Sequence, residues 1–139
     1  MRDKERKRQE KRVRDLVKRW IGPMGLRWWK LDVVYYADYD ECRQLFGKPG
    51  DASLETVMST YASWQYLEAT IDVNLQRVAK MGNDELEMTV VHELAHVLIN
   101  EMREVQGEEG IEHEERVATT LARAFLWTRE ERGRRCREK

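Results

Sequence analysis

The chain has 139 residues, 41% of them apolar and 37% charged, with a net charge of -1. That length suits a single domain with a modest core, and the apolar content, with five Trp and five Tyr, excludes an intrinsically disordered chain. No apolar run approaches the roughly twenty residues that span a bilayer, and the basic N-terminus lacks the apolar stretch of a signal peptide. The two cysteines, Cys42 and Cys136, lie far apart and make neither a disulfide framework nor a metal-binding pair. The expected setting is a reducing cytoplasm.

The first expected element is a helix over about Arg6 to Trp20, with Val13, Leu16, Val17 and Trp20 on its apolar face. Gly22, Pro23 and Gly25 break it. A strand follows from Trp28 to about Ala37, in which Leu31, Val33 and Tyr35 face one way and Lys30, Asp32, Val34 and Tyr36 the other. Asp38 to Ser53 reads as loop. A second strand is expected over Val57 to Gln65, and its partner over Leu67 to Asn74, where Leu67, Ala69, Ile71 and Val73 alternate with polar residues. The join near Tyr66 lacks the Gly or Asn of a tight hairpin, which suggests an irregular turn.

A long helix is expected from Asn83 or Asp84 to Met102. Glu87 stands three residues after Asp84, as in a capping box, and Leu86, Val90, Val91, Leu94, Val97 and Leu98 form an apolar stripe. After a loop over Glu104 to Gly110, a last helix runs from Ile111 or Glu112 to about Arg132, with Val117, Ala118, Leu121, Ala122, Phe125 and Leu126 inward. The expected fold is α+β: an N-terminal helix, a small, mostly antiparallel sheet of about three strands, and two C-terminal helices. Residues 1–139 form one compact domain with basic ends at 1–10 and 129–139 open to fraying.

Charge is unevenly spread. Residues 1–19 carry ten basic and four acidic side chains, and residues 129–139 six basic and three acidic, so the middle of the chain is acidic. Basic ends on an acidic body suit nucleic acid or another acidic surface. Solvated helix faces with alternating charge are the preferred reading, because Trp20 alone among the aromatics is interleaved with the basic residues.

The sharpest signal is His92-Glu93-Leu94-Ala95-His96. On a helix the two imidazoles project from one face and can hold one metal ion, with Glu93 beside them to take a proton from a metal-bound water. Two of the chain's three histidines lie in this motif. This is the pattern of a zinc metallopeptidase, whose catalytic ion keeps three protein ligands and an open position. The third ligand must come from Glu112, His113, Glu114 or Glu115. Glu115 is preferred because Ala118 and Ala122 follow it by three and seven residues and let the last helix approach closely. Glu112, one turn earlier, is its main carboxylate rival, and Glu114 is about 100° off that face. His113 is an alternative ligand, or a stabiliser of the oxyanion formed when a peptide carbonyl is attacked. Tyr61 and Tyr35 are weaker oxyanion candidates. Asp72 and Glu112 are candidates to orient the ligand histidines.

His92 to His96, with Glu115, Ala118, Leu121 and Ala122, resembles the small gluzincin-like peptidases of the ImmA/IrrE group and related phage-encoded metallopeptidases. In that group one helix carries HExxH and a second carries the ligand Glu in a pattern like E-x-x-A-(N)-x-(F)-A. The chain has Thr119 where Asn is common and Leu121 where Phe is common. The resemblance covers about Met88 to Phe125. It implies a zincin-like fold, Zn2+ held by His92, His96 and Glu115, and Glu93 as general base. It further implies a bacterial or phage hydrolase acting on an intracellular protein. The segment Val57 to Gln65 is a candidate sheet edge for an extended substrate. A regulatory protein partner, a non-enzymatic zinc protein and a nucleic-acid-associated protease are the other readings.

Overall fold

A computed structural model describes residues 1–46, 56–106 and 110–137; of the loops expected over Asp38 to Ser53 and Glu104 to Gly110, residues 47–53 and 107–109 lie outside the described residues, while 104–106 and 110 are helical. In chain order the elements are helix α1 (Asp3–Trp20), strand β1 (Lys30–Tyr36), helix α2 (Tyr39–Phe46) and strand β2 (Met58–Ser63). A 3-10 turn (Trp64–Tyr66), strand β3 (Glu68–Asn74) and helices α3 (Leu75–Val78), α4 (Asn83–Gln106) and α5 (Gly110–Arg137) follow.

In α1, Val13, Val17 and Trp20 are buried, at the four- and three-residue spacing of one helical face. The Gly22–Pro23 break ends it, and Gly25 adopts φ +74°, the left-handed conformation glycine enters without steric cost. Residues 3–10 and 129–137, expected to be open to fraying, are helical. One reason at the N-terminal end is Arg6, which donates to Glu41 on α2 at 2.7 Å. The loop expected from Asp38 accordingly begins with a helix. Asp38 Oδ1 accepts from the Glu41 N–H and Glu41 accepts from the Ala37 N–H, so two side chains satisfy backbone donors at its start.

The three strands lie in the order β1-β3-β2. The α+β expectation holds, with a mixed sheet: β2 runs antiparallel to β3, whereas β1 runs parallel to it. A parallel pair needs a long crossover, which here contains α2 and β2. Both β1 and β2 are therefore edge strands. Leu31, Val33, Ala69, Ile71, Val73 and Met58 share the face that meets the helices. The turn into β3 solves its lack of glycine by placing Leu67 at φ 52°.

Helix α4 is the centre of the packing and touches α1, β2 and α5. Leu86, Val90, Val91, Leu94, Ala95 and Val97 are buried along it. Ala118 and Ala122, both 0% exposed, let α5 come close. The expected capping box at the start of α4 does not form. Asn83 Oδ1 accepts from Arg12, and Glu87 turns to the Trp20 indole N–H at 2.8 Å, where it also meets Arg19 and Arg129. Arg12 further donates to the carbonyls of Val78 and Met81, fastening α1 to the entry of α4. Among the described residues, no helix is long and apolar enough to cross a membrane.

Candidate metal centre

His92 and His96 are one turn apart on α4, and Glu115 enters from the first half of α5. Their donor atoms converge. His92 Nε2 lies 3.0 Å from His96 Nε2, Glu115 Oε2 lies 3.3 Å from His92 Nε2, and Glu115 Oε1 lies 3.2 Å from His96 Nε2. Zinc bonds of about 2.1 Å in a tetrahedron separate adjacent ligand atoms by about 3.4 Å. The three separations come within a few tenths of an ångström of that edge length, so this donor set fits a small divalent ion. It is a group of His and carboxylate donors with metal-holding geometry among the described residues.

Two further groups tune the imidazoles. Glu114, only 1% exposed, meets His96 Nδ1 at 2.8 Å. A carboxylate there keeps the proton on Nδ1 and leaves the Nε2 lone pair free for a metal. Thr119 Oγ1 lies 3.4 Å from His92 Nδ1, a longer and weaker contact. Of the partners expected from sequence, Asp72 does not take this role. Asp72 is buried on the opposite face of the sheet, beside Tyr36 and Cys42, away from His92 and His96. Burial raises its pKa to about 6, and its Oδ1 has no hydrogen-bond partner. The Glu112 side chain lies outside the described residues.

Glu93 lines the same open cavity, of about 390 Å³, as His92, His96 and Glu115. Glu93 is 9% exposed, and its carboxylate is held by the Thr60 hydroxyl on β2, which donates to Oε2 at 2.7 Å. Asn100, one turn beyond His96, donates to the Ala62 carbonyl at 2.8 Å. The edge strand is thus fastened to α4 at two alternate residues, Thr60 and Ala62. The strand forms the other wall of the cavity with Met58, Ser59, Thr60 and Tyr61.

The other candidates fall elsewhere. His113 is exposed and is not among the cavity's lining residues. Tyr61 is half exposed and lines the cavity. Tyr35 packs on the helix side of the sheet near Arg14, where burial raises its pKa. Thr60 and Asn100 are the residues that sequence reasoning passed over. Asn100 was findable as the third member of a four-residue spacing, 92, 96, 100; Thr60 was not, since it acts across the chain fold.

Part of the positive charge of the first helix is paired within that helix. Glu5, Glu10 and Asp15 each pair with a cation of α1, among them Arg6 with Glu10 at 2.9 Å. Such pairs are those of a solvated helix face. Comparisons with protein-family models, with curated proteins and with solved structures return no match.

Proposed function

We propose that this protein is a zinc-dependent endopeptidase of the gluzincin type that hydrolyses a protein substrate in the cytoplasm. The observation that carries the reading is the meeting of His92, His96 and Glu115 at one point, with Glu93 held beside them in a cavity open to solvent. The resemblance of the two motif helices to the ImmA/IrrE group and related phage enzymes supports it. Three converging donors with one exposed side are also what distinguishes a catalytic zinc site from a closed structural one.

His92, His96 and Glu115 would hold the ion. When bound, it supplies Lewis-acid activation of water and of the scissile carbonyl. Glu93 accepts the proton of the attacking water and delivers it to the leaving amine. Thr60 fixes one carboxylate oxygen of Glu93, leaving the other for that transfer. Glu114 holds His96 in the tautomer and orientation that expose Nε2. Substrate pairs in extended form with the outer edge of β2, a mode in which the main chain supplies affinity and side-chain pockets supply selectivity.

The test combines metal analysis with a peptide-cleavage screen. Glu93→Gln is expected to retain zinc and lose turnover, and Glu115→Ala to lose zinc affinity and turnover together. Unchanged cleavage by Glu93→Gln would refute the mechanism.

A further inference from the structure

A second concave site lies on the far half of α5, where Phe125 is ten residues beyond Glu115, about 15 Å along a helix rising 1.5 Å per residue. It is a groove of about 260 Å³ between the end of α1 and α5. Trp20, Pro23 and Phe125 form its apolar part and Arg19, Arg129 and Arg132 its rim. It shares no lining residue with the metal cavity.

The rim is built rather than incidental. Glu87, 7% exposed, accepts from Arg19, Arg129 and the Trp20 indole through the same oxygen. Burial of Glu87 is outweighed by these donors, which hold its pKa below the ordinary value. Arg129 also lies over the Trp20 ring, 5.3 Å from its centroid. One carboxylate thus anchors two guanidiniums, and Arg132 makes no ion pair among the described residues. A guanidinium has five N–H donors, so most of those on the rim are unspent, and three positive charges answer to a single buried negative one.

We propose that this groove docks an apolar side chain flanked by acidic residues on a protein partner. Size and composition favour that occupant. Small-molecule sites usually measure about 300–1,000 Å³, and this groove is smaller than that, nearer to one or two side chains. A single-stranded base would require an exposed aromatic face on which to stack. Trp20 is 2% exposed with its N–H committed to Glu87 and Arg129 over its ring, so it offers no free face.

The test is an NMR titration of the full chain, reading the Nε–H signals of Arg19, Arg129 and Arg132. The probes are acetyl-Glu-Phe-Glu-amide, acetyl-Lys-Phe-Lys-amide and deoxyadenosine monophosphate, each at millimolar concentration. The expected result is saturable shifts of the three arginines with the acidic peptide, weakened about fivefold by Arg132→Ala, the loss of roughly 1 kcal/mol for one exposed charge pair. Absence of shifts, equal shifts with the lysine peptide, or preference for the nucleotide would each overturn the proposal. None of these outcomes depends on peptidase activity.

Discussion

Replacing Thr60 by Val isolates one hydroxyl, which meets both the carboxylate and the backbone carbonyl of Glu93. The substitution keeps the branched shape that suits a strand and deletes the hydroxyl that donates to Glu93 Oε2 at 2.7 Å. A hydrogen bond to a charged group contributes about 1.5–3 kcal/mol. If that bond keeps Glu93 aligned through the transition state, its loss lowers kcat by about 10- to 150-fold, at about 1.4 kcal/mol per factor of ten. Zinc affinity is expected to stay unchanged, because the Thr60 hydroxyl bonds Glu93 and none of the three ligands. KM should move little, since the strand backbone proposed to pair with substrate is retained. Thr60→Ser restores the donor and should recover most of the turnover. The assay is steady-state cleavage of a fluorogenic peptide by the zinc-loaded variants, alongside metal titration. Turnover by Thr60→Val within about twofold of the unaltered chain would refute the reasoning. Equal impairment in Thr60→Ser would assign the effect to strand packing instead.

Three further outcomes follow from the same geometry. Glu114→Gln removes the carboxylate at His96 Nδ1 and should weaken zinc about 10- to 100-fold, the usual consequence of losing a partner behind a ligand imidazole; competition with a chelator measures it. His113→Ala should leave kcat and KM unchanged, because His113 is exposed and outside the cavity lining; a tenfold loss of kcat would return it to the chemistry. Asp72 ionises at about 6 in the folded chain against an ordinary aspartate value of 3.8, so the folded state holds a proton that the unfolded state releases. Stability from this group is present below about pH 4 and lost as pH rises through 6, up to about 3 kcal/mol in all. Asp72→Asn should therefore raise stability at pH 7 and flatten the fall between pH 4 and 6 in urea titrations.

The elements with strong periodicity were legible in the sequence. The stripe through Leu86, Val90, Leu94 and Val97 announces α4, and the alternation from Ala69 to Val73 announces β3. The start of α2 was hidden because its stability comes from Arg6 on a distant helix and from two side chains that bond nearby backbone donors. Glu87 misled for a related reason. Its spacing from Asp84 fits a capping box, but a buried indole N–H and two guanidiniums bind a carboxylate more strongly than one helix-end amide does.

The pair Glu114 and Glu115 shows where helical pattern reasoning stops. Ala118 and Ala122, used to favour Glu115, follow Glu114 by four and eight residues, and they share its burial: 0%, 0% and 1% exposed. The small-residue stripe therefore belongs to Glu114, which is pressed between the helices behind His96. Glu115, with its side chain 54% exposed, borders that stripe together with Thr119 and faces the cavity. A ligand that leaves its ion open to water must sit at the edge of the buried face, not on it. Adjacent carboxylates about 100° apart on one helix thus take different positions, one meeting both imidazoles at the candidate metal position from the solvent side and the other meeting His96 from the core.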